Sequence, residues 1–294
     1  VRRRLALLVA LVVVPMLVAL VVLWLLMYVS GLGAALVAGV AAITAVVGVT
    51  MAWRVARMLA ADEQSERNRA EAARRELIAA ASHDLRTPIT SLRLLVEAID
   101  DEVVSGETRR EYVRRMRTHI EAVSGLIDDL FELSRIEAGD ISWTLERVAL
   151  GELVADTVDA MRVQADAVGV SVAVELPGEL AVARANPEKV QRVLFNLIQN
   201  AIRHSPADGS VVVRATSTGE AVEVEVADSG EGIAAADRER VFEAFYRGDA
   251  ARSTPGAGLG LAVARAIVEA HGGRIWLADG DPGTRVRFSL PLAA

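Results

Sequence analysis

Cysteine is absent, and lysine occurs once, at Lys189, among 32 basic residues. With no thiol the chain forms no disulfide and no thiolate metal site. Aromatic residues are 4% of a composition that is 52% hydrophobic, so the apolar content is aliphatic and favours helices over a purely β architecture. Acidic residues are missing from 1–60, where Arg2, Arg3, Arg4, Arg54 and Arg57 are the only charges. Taking those five away from the overall −7 leaves −12 on the remainder. That acidic balance argues against nucleic-acid binding, which needs a basic face. A Walker A sequence and the glycine loop and catalytic loop of protein kinases are also missing, so phosphates must be held in another way. There is no internal repeat and no low-complexity tail.

What is present begins with two apolar runs. Residues 5–29 are interrupted only by Pro15, and residues 32–53 only by Thr44 and Thr50. Each can cross a hydrocarbon core of about 30 Å, which takes about 20 apolar residues. A cleaved leader followed by a buried helix is the competing reading, but the first run exceeds a usual signal core and a second follows at once. Ser30-Gly31-Leu32-Gly33 reads as the turn between the runs, and arginines flank their outer ends. The positive-inside rule then predicts a multi-pass membrane protein with both termini cytoplasmic. The predicted external turn is too short for a folded sensor domain.

The remainder, at 294 residues in all, leaves room for two further domains. Residues 54–76 are rich in Ala, Arg and Glu without Gly or Pro and read as a helical linker. In 77–138, Ile78, Ala81, Leu85, Pro88, Leu92, Leu95 and Ile99 recur in steps of three and four, the seam of a bundle helix. Ser105-Gly106 marks a hairpin turn. A second seam follows at Val113, Met116, Ile120, Val123, Ile127 and Leu130. Two amphipathic helices cannot bury both seams alone, so a four-helix bundle built by a homodimer is expected.

His83 falls opposite the first seam and should face water. Asp84 is its neighbour, and Thr87 lies one turn along the same face. Lone histidines are commonly plain surface residues. Here a neutral imidazole is a nucleophile, and an adjacent carboxylate can fix its tautomer.

Residues 139–294 read as a mixed domain. Strands are expected near 141–148, 170–176, 180–185, 211–217, 222–228, 274–279 and 284–290, with helices near 150–167, 187–204, 234–243 and 259–271. Uneven interspersion of helices with paired strands suggests an α/β sandwich. Asn196 and Asn200 lie four apart on one helix face, and amide oxygens suit Mg²⁺, although two solvated amides would look the same. Asp228 ends an alternating strand and precedes Gly230 and Gly232, a pattern that ordinary turn chemistry also produces. Gly256, Gly258 and Gly260 precede an apolar helix, whose N-terminal N–H groups favour phosphate.

Together these segments resemble the two-component sensor histidine kinases. Ser82-His83-Asp84-Leu85-Arg86-Thr87-Pro88 is similar to the family's phosphoacceptor box. Gln191-Arg192-Val193-Leu194-Phe195-Asn196-Leu197-Ile198-Gln199-Asn200-Ala201 is similar to the N box. Asp228-Ser229-Gly230-Glu231-Gly232, Val241-Phe242-Glu243-Ala244-Phe245-Tyr246-Arg247 and Gly256-Ala257-Gly258-Leu259-Gly260-Leu261 resemble the first glycine, F and second glycine boxes, in the expected order.

The resemblance covers about 76–292. It implies an α/β sandwich of the Bergerat (GHKL) type, shared by histidine kinases, gyrases, Hsp90 and MutL. It also implies ATP and Mg²⁺ as cofactors, and a kinase that phosphorylates His83 and passes the phosphoryl group to an aspartate of a cognate response regulator. Carried over by position, Asp84 orients His83 or acts as base, and Thr87 positions water in a phosphatase reaction. Asn200 coordinates Mg²⁺, Asn196 and Arg203 support the phosphates, Asp228 accepts the adenine amino proton, and Arg247 and the Gly256-to-Gly260 segment, Leu259 included, face the phosphates. Phe242 and Phe245 become packing or hinge residues for a lid at 246–257. Two positions depart from the pattern: Asn186 stands where an acidic residue is frequent, and His204 where an aromatic one is. The stretch 54–82 is shorter than the HAMP relay that many family members carry, and input through the bilayer or a partner membrane protein is expected. A clamping ATPase of the same superfamily is the alternative enzyme. A degenerate membrane scaffold is the non-enzymatic one.

Overall fold

The computed structural model describes residues 31–101, 103–176, 178, 180–248, 257–280 and 282–293, together with Val18, Val21, Val22 and Trp24. The chain divides into two compact units, Val1–Glu76 and Leu77–Ala294. The first apolar run otherwise lies outside the described residues, as do the lid residues 249–256. Helix α1 spans Gly31–Asp100. Three of the four residues read as a turn between the runs are therefore helical, as glycine allows at a helix start. Among the described residues no helix is long and apolar enough to cross a membrane. Within the first unit, Ile43, Val46, Val47, Val49, Met51 and Trp53 are all exposed, an apolar surface over more than half of the helix circumference. The Arg57 guanidinium lies 3.5 Å over the Trp53 ring.

In the second unit, α1 continues to Asp100 and α2 (Gly106–Glu137) returns. Ala81 is buried and Leu85, Pro88, Leu92, Leu95 and Ile99 are half-buried, as the seam predicts. The α2 seam is less covered: Val113, Ile120 and Ile127 stay exposed within one chain. Gly139, at φ +72, closes α2, with Asp140 N–H donating to the Arg135 carbonyl at 3.0 Å.

The mixed domain follows with β1 (Glu146–Val148), α3 (Leu150–Asp166), β2 (Ser171–Glu175), β3 (Ala183–Ala185), α4 (Pro187–His204), β4 (Ser210–Ser217), β5 (Ala221–Asp228), α5 (Gly260–Ala270), β6 (Arg274–Ala278) and β7 (Arg285–Pro291). Five strands form one sheet in the order β2-β4-β5-β7-β6, with β2 parallel to β4 and the other pairs antiparallel, while β1 and β3 pair separately. Alternate residues Val211, Val213, Ala215, Val222, Val224, Val226, Val286, Phe288 and Leu290 are buried in one core with the apolar faces of α3, α4 and α5. This is the expected α/β sandwich.

Two expectations fail. Of the strand read at 141–148 only 146–148 forms, because Trp143 turns in to pack on the core instead of alternating. The helix read at 234–243 is a run of turns closed mainly by i→i+3 bonds, such as Asp237 N–H to Ala234 O and Arg240 N–H to Asp237 O. Its polar residues are drawn sideways, Arg238 to Asp279 at 3.0 Å and Asp237 to the Tyr246 hydroxyl at 2.5 Å, and so do not form one helical face.

The face of the sheet away from the helices carries one register row of charges: Glu175 opposite Arg214, Arg214 opposite Glu225 and Glu225 opposite Arg287. Glu225 is buried and accepts from Arg214 at 3.0 Å and Arg287 at 2.6 Å. Burial alone would raise its pKa, but the two guanidinium bonds outweigh it and hold the carboxyl below its ordinary value. Glu225→Gln should cost about 1–2 kcal/mol at neutral pH, since both arginines are partly solvated. A group with a depressed folded pKa stabilises above its unfolded pKa and stops doing so as pH falls through the folded one. Denaturant titrations should therefore show the gap between wild type and Glu225→Gln closing as pH drops below the ordinary carboxyl range. A gap that is constant with pH would show that the ladder is not a charge effect.

Candidate functional site

His83 stands on α1 with its side chain 78% exposed, on the side away from the half-buried seam. Its Nδ1 lies 3.1 Å from Asp84 Oδ1. A proton shared there sits on Nδ1, which leaves the Nε2 lone pair pointing to solvent as the nucleophile. Pro88 has no N–H, so the helix cannot bond the Asp84 carbonyl in the usual way. Thr87 is exposed one turn on. The three residues read as an acceptor cluster share one open face.

A second group of residues assembles on the mixed domain. Helix α4 starts cleanly because Asn186 caps it, its Oδ1 accepting from Lys189 N–H at 3.0 Å, with Pro187 following. The same asparagine donates its amide to Thr144 O at 3.2 Å and its backbone N–H to His271 Nε2 at 3.0 Å. His271 is buried and its Nδ1–H donates to Ile267 O at 2.7 Å, which defines a neutral tautomer; burial lowers its pKa despite that backbone bond. His271 is thus a structural histidine, and Asn186 does capping work that an acidic residue could also do.

Val190, Val193, Leu194, Leu197, Ile198, Ala201 and Ile202 bury the opposite side of α4, which leaves Asn196, Asn200 and Arg203 on its polar face. Asn196 Nδ2 donates to the Gly260 carbonyl at 3.1 Å, tying α4 to the second glycine box. The half-buried Asn200 carboxamide makes no hydrogen bond among the described residues, so its oxygen is available to a hard cation. The Arg203 guanidinium is partly desolvated and lies within the field of Arg247, and both effects lower its pKa.

Asp228 Oδ1 accepts two backbone N–H bonds, from Gly230 and Thr284, each at 2.9 Å. Oδ2 is thereby aimed and left without a partner among the described residues, which suits an exocyclic amine. Close backbone packing makes this possible: a Cβ on Gly230 would lie 2.4 Å from His204 O, and one on Gly283 1.8 Å from Asp228 O. Gly232, at φ +77, adjoins Gly283. Gly283 and Thr284 are site residues that sequence reasoning missed, since 283 fell between two expected strands and 284 at the start of the second. At His204 desolvation lowers the pKa first, with Arg203 adding to it, against the opposing carboxylates of Asp228 and Glu231.

The second glycine box is clasped at its stem, where Phe245 N–H donates to Gly258 O at 3.1 Å and a Cβ on Gly258 would sit 2.7 Å from Tyr246 O. Leu259 precedes α5 without a side-chain cap, so the first N–H groups of α5 are open to a phosphate. The Leu259 side chain itself points elsewhere, buried with Leu126 and Leu133 of α2. Any phosphate contact there belongs to backbone. Gly256 lies outside the described residues.

The model described as "His Kinase A (phospho-acceptor) domain" matches residues 73–139, and "Histidine kinase-, DNA gyrase B-, and HSP90-like ATPase" matches 185–294. The chain belongs to the two-component sensor histidine kinases. It is 35% identical over 236 residues to the sensor-like histidine kinase SenX3 of Mycobacterium tuberculosis, covering 79% of this chain and 57% of that one. It is 37% identical over 230 residues to the sensor protein SphS of Synechococcus elongatus, covering 74% and 55%. The chain thus spans little more than half the length of these curated relatives. Among solved structures the Acinetobacter baumannii histidine kinase AdeS superposes with a TM-score of 0.61 at 25% identity, over 72% of this chain and 98% of that one. In this kinase family chain, the helical dimerisation domain and the GHKL domain are both present.

The unpartnered Oδ2 gives a direct test of an adenine site at Asp228. Asp228→Asn keeps an acceptor for Gly230 and Thr284 only if its Nδ2 replaces the free Oδ2, which sets a donor against the adenine amine. ATP affinity, read by calorimetry, should fall about tenfold to a hundredfold with the fold intact. Unchanged affinity would remove Asp228 from the base site.

Proposed function

We propose that this chain is an ATP-dependent protein-histidine kinase that phosphorylates His83. The observation that carries the reading is the pairing, within one chain, of a solvent-facing His83 held by Asp84 with a domain that presents Asn200, the aimed Asp228 carboxylate and the uncapped start of α5. Asp84 fixes the Nδ1–H tautomer, so Nε2 is the attacking atom. The Asp228 carboxylate and the first glycine box hold the base, and Asn196, Arg203, Arg247 and the α5 N–H groups orient the phosphates. Such transfer depends on positioning and charge neutralisation. Mg²⁺, when bound with the nucleotide, would supply further neutralisation, with Asn200 as its protein ligand. The phosphoryl group would pass to an aspartate of a separate response regulator. Thr87, on the same face as His83, would position water for the reverse, dephosphorylating activity. The exposed α2 seam supports a homodimeric four-helix bundle, and 77–138 and 139–294 are the two functional halves.

In the proposed setting the pair of apolar runs forms a membrane hairpin in the cell's inner (plasma) membrane, with both ends cytoplasmic. The broad exposed apolar surface at 43–53 and the arginines on either side of the hairpin support this. Input then reaches the bundle through the bilayer or a partner membrane protein. Reporter fusions at either end should be active only in the cytoplasm, and an end that reports from outside would refute the topology.

Incubation with γ-labelled ATP should give acid-labile, base-stable phosphate. His83→Gln should abolish it with ATP affinity unchanged, and residual label would move the acceptor to His119, His204 or His271. Thr87→Ala should keep autophosphorylation but slow dephosphorylation of the regulator about a hundredfold.

A further inference from the structure

Within the run of turns at 234–243, Asp237, Arg238 and Arg240 all have fixed partners. Arg238 reaches the end of β6, donating to Asp279 Oδ1 at 3.0 Å and to the Ala278 carbonyl at 3.4 Å. Asp237 Oδ1 accepts from the Tyr246 hydroxyl at 2.5 Å. The Arg240 guanidinium lies 4.2 Å over the Tyr246 ring, and its Nε donates to Glu243 at 3.2 Å. The segment is thus a brace, with one end on the edge strand of the sheet and the other on Tyr246. A phenol that donates to a carboxylate makes a charge-assisted bond, and a cation over the ring face adds to the hold on the ring.

Tyr246 stands between two residues that depend on such a hold. Before it, Phe245 has φ +63. A bulky residue keeps that conformation only where its surroundings over-determine it, and strained positions cluster at ligand sites. Phe245 N–H donates to Gly258 O at 3.1 Å, and the Tyr246 carbonyl would lie 2.7 Å from a Cβ on Gly258. After it, the stem of Arg247 runs along the same glycine, with its Cγ 3.2 Å from the place of that Cβ. Gly258 is two residues ahead of Gly260, the uncapped start of α5. The field of Arg247 also reaches Arg203 on α4. Asp237 limits the next step of the chain as well, since a Cβ on Gly248 would lie 2.7 Å from its Oδ2. One carboxylate therefore holds the phenol on one oxygen and abuts Gly248 with the other.

We propose that Asp237 is a positioning residue for the nucleotide: by holding Tyr246 it fixes the turn at 245–248 and so keeps the Arg247 guanidinium directed at the phosphates of bound ATP. This role rests on the nucleotide reading above. Its physical basis is pre-organisation. A long side chain that starts from a fixed backbone loses less freedom when it meets its ligand, and more of its attraction appears as affinity. Neither Asp237 nor Tyr246 is assigned a contact with the nucleotide, so both act through Arg247.

Calorimetry on the full chain with ATP and with adenosine tests this. Tyr246→Phe keeps the ring and removes only the hydroxyl. It should weaken ATP binding about three- to tenfold and leave adenosine binding unchanged, because the base is held at Asp228. Asp237→Ala should do the same, and the double variant should lose no more than either single one. In an Arg247→Ala background, itself weaker for ATP, Tyr246→Phe should have no further effect. Equal losses for ATP and adenosine would make the bond a general prop of the domain and overturn the role. Unchanged ATP affinity in Tyr246→Phe, or a full further loss in the Arg247→Ala background, would overturn it too. A wild type that binds ATP yet takes up no phosphate would defeat the kinase reading alone, with the split between ATP and adenosine still measured.

Discussion

One side of α4 is committed to the core, and that commitment constrains everything else in the C-terminal domain. Val190, Val193, Leu194, Leu197 and Ile198 are almost fully buried, and at about 0.8 kcal/mol per buried methylene no rotation of the helix about its axis is open to it. The remaining face must then carry, in order, the contacts to α2, the tie to the second glycine box, the Asn200 carboxamide and Arg203. Asn186 and His271 set where this helix begins, and so set the height of every group along it. At about 1.5 Å of rise per residue, Arg192 and Asn196 are about 6 Å apart along the axis. The seat on the bundle and the ligand site are one surface.

Much of this was legible from spacing. The α4 boundaries agree with the expectation of a helix at 187–204, because its apolar periodicity is a local signal. The seam of α1 was legible for the same reason, and the acceptor cluster followed from it, since a seam defines an opposite face. Strands β4 and β5 announced themselves by alternation.

What was not legible depends on neighbours distant in the chain. Nothing near 234–243 reveals that Arg238 will be drawn to Asp279 or Asp237 to Tyr246, so its alanines and charges read as a helix. Trp143 looked like a strand residue until the core offered it a place against His271. Gly283 is needed because Asp228, more than fifty positions earlier, packs against it. Nothing near Asp129 and Glu132 reveals their ion-pair partners Arg192 and Lys189, about sixty positions further along the chain.

Phe245 has φ +63, a conformation that an aromatic residue adopts at a cost and that glycine would adopt freely. Its ring nevertheless fills the seat beside Leu126 and Leu133. Position 245 is thus pulled two ways: the backbone prefers the smallest residue and the seat prefers a large one. Relieving the backbone would empty the seat, so the domain carries a small, permanent tension at the root of its lid.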